Sequence, residues 1–301
     1  MRVGVVILPE LSWTVAVDRW RDAEVRGFST AWTYDHLTWR SLRDGPWFGA
    51  VPLLAAVAAS TSTLRIGTLV TSPNFRHPAL LAKDVMTLDD ISAGRIDLGI
   101  GAGGVGFDAV ALGGPAPSPA ERGARFAEFV DALDVLLSAP KASFNGTFFT
   151  AVESRAIPGC AQRPRPPFTI AAAGPRALDV AARHGQAWVT YGPLANGESS
   201  DGWFAGVARQ SAALDEACAR IGREPASIDR VALVPLELGW PQTSVEAWDQ
   251  FCGRLGELGF TDVVVHWPRP DDPALAGPDP ALFDEVSRRL TDAGSTPHPG
   301  P

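Results

Sequence analysis

Lysine is nearly absent from this 301-residue chain: only Lys83 and Lys141 occur, while arginine, alanine, proline and glycine abound. That bias marks a G+C-rich genome and carries no functional message. The net charge is −8 and no basic stripe is present, which argues against nucleic acid as a partner. An acidic surface also gives no general attraction for anions, so any bound phosphate must be held locally. The three cysteines, Cys160, Cys218 and Cys252, are odd in number and show neither C-x-x-C nor zinc spacing. A disulfide framework is thereby excluded, and a reduced, cytoplasmic protein is expected. No apolar run approaches the roughly 18 residues of a membrane span. The run Val3–Leu8 is too short for a signal-peptide core and reads as a first strand. Metal-ligand spacing, a G-x-S-x-G nucleophile arrangement, internal repeats and an interdomain linker are all missing.

What remains is an alternation of short Val/Ile-rich runs and amphipathic segments. With 46% hydrophobic residues the chain can bury one large core or two ordinary ones. The predicted strands are Val3–Leu8, Ser29–Tyr34, Leu64–Val70, Arg95–Gly101, Phe168–Ala172, Ala187–Thr190, Arg230–Pro235 and Thr261–His266. They are apolar in succession, the pattern of parallel strands covered on both faces. Predicted helices fill the gaps: Trp13–Arg26, Phe48–Ser60, Pro78–Ser92, Pro119–Ser138, Pro175–His184, Trp203–Ile221, Ser244–Leu258 and Pro280–Asp292. The clearest is Pro119–Ser138, with Ser118 as cap, Pro119 in first place and Glu121 two residues on.

Eight strand–helix units predict an α/β fold, a (β/α)8 TIM barrel, with an open doubly wound sheet as runner-up. One domain over residues 1–294 is expected, with a disordered tail at 295–301. About 66 residues separate strands 4 and 5, more than one helix explains, so Ala139–Pro167 reads as an insertion. Within it, Asn145-Gly-Thr-Phe-Phe149 suits a small hairpin.

The stretch Gly101-x-Gly103-x-x-Gly106 matches the dinucleotide-binding fingerprint in spacing. That fingerprint also needs a helix opening on its glycines and an acidic residue about twenty positions on. Phe107–Pro119, rich in glycine and proline, leaves room for neither. The better reading is a strand ending in a glycine loop that lets a flat cofactor approach the backbone.

Barrel active sites lie at the carboxyl ends of the strands. Those ends carry Glu10, Asp35-His36 with Trp39, Thr71–His77, and the glycine loop with Asp108. Further on come Ala173-Gly174-Pro175-Arg176, Thr190-Tyr191-Gly192 and His266-Trp267. Adjacent Asp35 and His36 point to opposite sides of a strand, so at most one faces the mouth. Each also has a plainer reading: His77 as the cap of the helix at Pro78, Glu10 as a solvated loop acid, and Gly174–Arg176 as a simple turn. A helix opening there could also bind phosphate. Trp39 and Trp267 suit either core packing or stacking on a flat ligand.

Taken together, Trp32-Thr-Tyr-Asp-His36, Arg65-Ile-Gly-Thr-Leu-Val70, Arg76-His-Pro-Ala79 and Leu88–Gly103 resemble one family. So do Glu121-Arg122, Pro166–Pro175 and Ala181–Trp188. It is the bacterial-luciferase-like flavin- or deazaflavin-dependent oxidoreductases, and the likeness covers nearly the whole chain in order. The resemblance implies a barrel holding coenzyme F420, a 5-deazaflavin, or alternatively FMN, at its mouth. Asp-His after strand 2 and the loop from Gly101 to Asp108 look like the deazaflavin branch. The resemblance implies a non-proline cis peptide at Leu69–Val70. It makes His36 the proton-handling residue, Asp35 its orienting neighbour, Glu10 an active-site acid and Trp39 the neighbour of the ring. Cofactor contacts are implied at Thr68, Leu69, Val70, Gly101, Ala102, Gly103 and Gly104. A second set, at Ala172, Ala173, Gly174, Pro175, Arg176, Thr190, Tyr191 and Gly192, includes the phosphate site.

Sugar-phosphate dehydrogenases of the family place a glutamate in the strand-4 loop, where this chain has Gly103-Gly104. Their phosphate-binding lysines have no counterpart here, so glucose-6-phosphate oxidation is disfavoured. The expected reaction is hydride transfer between deazaflavin C5 and a small, apolar or ring-bearing substrate, with reduction of C=C, C=N or C=O favoured. The insertion is expected to lid the pocket. An FMN monooxygenase fed by a partner reductase is the alternative within enzymes, and a non-catalytic flavin-binding protein the alternative outside them. A homodimer is implied by the resemblance alone.

Overall fold

The computed structural model describes residues 1–193, 199–236, 238–272, 275 and 277–294. The tail expected at 295–301 lies outside the described residues. The first half runs β1 (Arg2–Val6), α1 (Trp13–Val25), β2 (Thr30–Thr33), α2 (Ala50–Ser60), β3 (Arg65–Thr71), α3 (Pro78–Ile91), β4 (Ile96–Ile100) and α4 (Pro119–Ser138). A hairpin of β5 (Lys141–Asn145) and β6 (Thr150–Arg155) follows. The chain then continues through β7 (Phe168–Ala171), α5 (Pro175–His184), β8 (Ala187–Thr190) and α6 (Ser200–Arg220). It closes with β9 (Asp229–Leu233), α7 (Val245–Glu257), β10 (Asp262–His266) and α8 (Pro280–Gly294).

Eight of these strands close a parallel barrel in the order β1-β10-β9-β8-β7-β4-β3-β2. Closure decides against the open sheet, and the hairpin accounts for the two strands outside the barrel. Strand parity sorts the apolar side chains into two layers. Val5, Ile66, Leu98, Ile170, Trp188 and Val263 pack outward in the cluster that includes the helices. Val6, Trp32, Leu69, Val189, Val231 and Val264 form the second cluster, inside the barrel. This double coverage is why the strands read as continuous apolar runs.

Local chemistry sets the helix ends. Ser118 accepts from the Glu121 amide at the start of α4, and Pro119 and Pro175 open α4 and α5 where an amide proton would go unused. The hairpin turn is held by one buttress, Glu128 of α4, which accepts from the amides of Thr147, Phe148 and Phe149 at 2.7–2.9 Å. The Leu69–Val70 peptide is cis, as the resemblance implies.

Candidate active site

The carboxyl ends of β2 and β4 meet at one buried carboxylate. Asp108, 5% exposed, accepts from His36 Nδ1 at 2.5 Å and from the Leu37 and Thr38 amides at 2.9 and 3.3 Å. It stands on a short 3-10 turn, Phe107–Ala109, which is all the helix that follows the glycine loop. Trp47 fixes the same segment by donating its indole N–H to the His36 carbonyl at 2.9 Å. His36 itself stays 28% exposed. An acceptor at Nδ1 means that position carries a proton, which leaves Nε2 as the exchangeable one.

His36 and Asp108 line a cavity of about 360 Å³ with Thr38, Trp39, Asn74 and Phe107. Gly104, Gly106, Arg40 and Tyr191 complete it. Trp39 is buried, stacks on Trp47 at 6.0 Å and carries the Arg40 guanidinium 4.9 Å over its ring. The glycine loop gives the cavity a bare backbone wall. Gly103 has φ +75°, and a Cβ there would lie 2.6 Å from the Asn74 side chain, whose amide holds the Gly104 carbonyl at 3.0 Å. A Cβ on Gly101 would meet Val70 at 2.6 Å. Neighbouring side chains thus leave no room for a Cβ at Gly101 and Gly103, while the loop's own border on the cavity is Gly104 and Gly106. Thr38 Oγ1 is buried without a partner among the described residues, a polar atom left for a ligand.

The remaining expected residues divide. Asp35, 1% exposed, points away from His36: it accepts from Thr71 Oγ1 at 2.6 Å and from Arg76 at 2.7 and 3.0 Å. It ties the end of β3 to the strand-2 loop and does not hold His36, whose ring is bound by Asp108 instead. Thr68 donates to the Gly99 carbonyl at 2.9 Å, and Leu69 and Val70 pack with the inner cluster. Ala102 borders the core beside Gly101. Across the mouth, Ala172 is buried, whereas Ala173, Gly174, Pro175 and Arg176 are exposed around the N-terminus of α5. A Cβ on Gly174 would meet nothing within 4 Å. Thr190 accepts from the Gly192 amide at 2.9 Å, shaping the turn that puts Tyr191 into the cavity wall.

Three expectations need correction. Glu10 is not brought to the His36 cavity. Its carboxylate pairs with Arg269, which also holds Asp272 at 2.8 Å, because the loops after β1 and β10 are neighbours in the barrel. Trp267 borders neither the mouth cavity nor the smaller one beside it among the described residues: its ring packs on Phe283 at 5.0 Å under the Arg26 guanidinium, against α8. The insertion does not lid the mouth. Among the described residues none of 139–167 lines the mouth cavity, while Gln162–Arg165 and Pro167 border a cavity of about 500 Å³ at the amino end of the barrel. Charges there are largely paired, Arg2 with Asp229 and Asp262 and Arg65 with Asp97. His77 accepts from the Ala79 amide as the cap of α3.

Two residues escaped the sequence reading as site members: Asp108, named only as part of its loop, and Tyr34. Tyr34 Oη lies 2.7 Å from His266 Nε2, both buried. His266 on the predicted mouth face was the available signal. Its contact partner, distant along the chain, was not.

An eight-stranded β/α barrel with an oriented histidine and a glycine-bordered cavity at its carboxyl end has the layout in which barrel active sites are built. The model of the luciferase-like monooxygenase family matches residues 1–283, and the chain belongs to that family. It is 34% identical over 171 residues to the F420-dependent glucose-6-phosphate dehydrogenase of Beutenbergia cavernae, covering 56% of this chain and 49% of that one. It is 28% identical over 288 residues to the F420-dependent hydroxymycolic acid dehydrogenase of Mycobacterium tuberculosis, covering 91% and 75%. The chain thus spans about half the length of the first of these relatives. A solved F420-dependent secondary alcohol dehydrogenase, in complex with an F420–acetone adduct, shares the fold. Its TM-score is 0.79 at 17% identity, over 98% of this chain and 99% of that one.

Proposed function

We propose that this protein, one barrel domain over residues 1–294, is a coenzyme F420-dependent oxidoreductase. It transfers hydride between deazaflavin C5 and a small organic substrate, with reduction of C=C, C=N or C=O as the favoured direction. The observation that carries this reading is His36, held at Nδ1 by Asp108 on the wall of a cavity of about 360 Å³ beside a bare glycine loop. The F420-dependent relatives support the choice of cofactor.

The residues present fit such a group. Gly101–Gly104 would admit a flat ring against backbone, Trp39 and Tyr191 would flank it, and the exposed opening of α5 would take its phosphate. When bound, the deazaflavin supplies the hydride chemistry. The chain's own work is orientation, exclusion of water and movement of one proton. Asp108 fixes the ring and tautomer of His36, and His36 gives or takes the proton at Nε2. Asp35 acts at a distance by anchoring Arg76 and Thr71. Glu10, committed to Arg269, has no part in the proton transfer. Sugar-phosphate oxidation stays disfavoured, since Gly103-Gly104 offers no carboxylate.

Titrating the purified protein with F420 and FMN in parallel, by tryptophan fluorescence, tests the reading. Trp39 lies on the cavity wall with Trp47 stacked on it, so a bound ring should quench emission. Micromolar F420 binding with weaker FMN binding is expected. The reverse order would instead favour an FMN monooxygenase with a reductase partner, and binding of neither would overturn the cofactor assignment. A cytoplasmic homodimer belongs to the same proposal, with light scattering as the test of its mass. Among the described residues no helix is long and apolar enough to cross a membrane.

A further inference from the structure

At the amino end of the barrel, the chamber of about 500 Å³ shares no residue with the mouth cavity of about 360 Å³. Nor does it touch the smaller cavity of about 90 Å³ that meets the mouth cavity at Trp39, Arg40 and Tyr191. Barrel interiors are ordinarily filled by layers of side chains, so a space of this size marks a departure. Trp32 of the inner cluster borders it and is 4% exposed. Its six-membered ring fits over Gly67, where a Cβ would meet it at 2.8 Å, and Nε1 lies toward Gly4, where a Cβ would stand 3.2 Å away. Beside the indole, the short side chains of Thr30, Thr169 and Ala187 line the chamber without filling it. The insertion supplies part of the rim through Gln162–Arg165 and Pro167.

Donors are left over in this lining. Trp32 Nε1–H has no hydrogen-bond partner among the described residues yet is not sealed from solvent, so it opens on the chamber. The hydroxyl of Thr169, a residue 4% exposed, is likewise unpartnered among the described residues. The carboxylates are answered from within: Arg2 holds Asp229 and Asp262, and Arg65 holds Asp97. Arg165 is committed to Asp134, outside the lining. That leaves Arg163, exposed on the rim and in no ion pair among the described residues. A ligand that satisfies this set carries negative charge at one end and a hydrogen-bond acceptor at the other. We propose that the amino-end chamber is a second ligand site, for a small organic anion. Its carboxylate or phosphate meets Arg163, and its carbonyl or ring acceptor meets Trp32 Nε1. The volume falls within the range of small-molecule sites and exceeds what a bare ion needs. In a chain of net charge −8, these local groups hold the anion and the general field does not.

Indole ¹⁵N NMR of the full chain tests the site, since its ten tryptophans give ten Nε1–H resonances. The signal missing from Trp32→Phe assigns Trp32; if that variant does not fold, backbone correlation assigns it in wild type. The probes are 4-acetylbenzoate and 4-acetylphenyl phosphate, with neutral 4-acetylbenzamide as the control. A saturable shift of the Trp32 resonance with an anion is expected, and the tighter of the two identifies the head group. The amide should bind about threefold to tenfold more weakly, and Arg163→Gln should weaken the anion by the same factor. Arg163→Gln removes an exposed side chain in no ion pair among the described residues, so it leaves the fold intact. No saturable Trp32 shift with either anion overturns the proposal and leaves a chamber of water. An amide that binds as tightly as the anions, or unaltered affinity in Arg163→Gln, overturns it too. The chamber is separate from the mouth, so the result stands whether or not F420 binds there.

Discussion

Asp108→Asn separates the stability contribution of this carboxylate from its effect on His36. The asparagine Oδ1 can still accept from the Leu37 and Thr38 amides, which lie 2.9 and 3.3 Å from the wild-type oxygen. What changes is the atom facing His36 Nδ1, where an N–H donor replaces an acceptor. The imidazole must then receive at Nδ1 and carry its proton on Nε2, the reverse of the wild-type tautomer. General acid–base catalysis is worth about 10²- to 10⁴-fold, so kcat should fall by that order while thermal stability stays within about 1 kcal/mol. F420 affinity should change by no more than a few fold. The His36 proton should move from Nδ1 to Nε2 in ¹⁵N spectra, a result that loss of packing alone would not give. Single-turnover bleaching or recovery of F420 absorbance, with the reducible compound a substrate screen returns, is the assay. Turnover within threefold of wild type, with the His36 proton still on Nδ1, would refute the assignment of Asp108 as a positioning residue. Asp108→Ala, by contrast, should also cost about 1–3 kcal/mol of stability, since two buried amides lose their acceptor.

Gly103→Ala places a Cβ 2.6 Å from Asn74 at φ +75°, so a backbone penalty of about 1–2 kcal/mol and a displaced Asn74 are expected. F420 binding should weaken at least tenfold by fluorescence titration, and unaltered binding would refute the glycine wall as a ring site. The cluster of His184, Asp131, Asp134 and Arg165 sets a pH window for stability. Burial works against protonation of His184, but Asp131 and Asp134 outweigh it and raise its pKa. Its contribution is full below about 6.5 and disappears as pH rises through the higher folded-state value. His184 and Arg165 hold the Asp134 carboxyl down to about 2, so its contribution is present above 3.8 and lost as pH falls toward 2. The stability gap between wild type and His184→Asn, from urea melts, should therefore shrink between pH 6 and pH 9; a constant gap counts against the cluster. Glu128→Ala frees three amides of the hairpin turn, and hydrogen exchange at Thr147–Phe149 should accelerate at least tenfold. Unchanged protection there would show that the turn holds without its buttress.

The barrel was legible because its strands are buried on both faces and therefore carry unbroken apolar runs. The boundaries of Ala187–Thr190, Pro119–Ser138 and Pro175–His184 match the structure residue for residue, and the two helices owe this to prolines at their first position. Parity allowed only one of Asp35 and His36 to face the mouth, and the family resemblance, not parity, pointed to His36. What could not be read is pairing between distant loops. Asp108 reaches His36 across 72 residues, Tyr34 reaches His266 across 232, and Arg269 takes Glu10 across 259. Strand order brings these together, since β1 lies between β2 and β10 and β3 between β2 and β4, and periodicity carries no register across a closed sheet. Trp267 misled for a related reason: on a strand end one residue of displacement turns a side chain from the mouth to the helix layer.

The partition between the two mouth cavities is made of shared residues, Trp39, Arg40 and Tyr191, rather than of separate walls. A substitution at any of the three remodels both chambers in one stroke. Independent tuning must therefore come from residues that border one chamber only, such as Asn74 and Phe107 on one side or Leu233 and Leu236 on the other. A library built on those outer positions would explore ligand range in one compartment while leaving its neighbour intact. One built on the common three would trade gains in one against losses in the other.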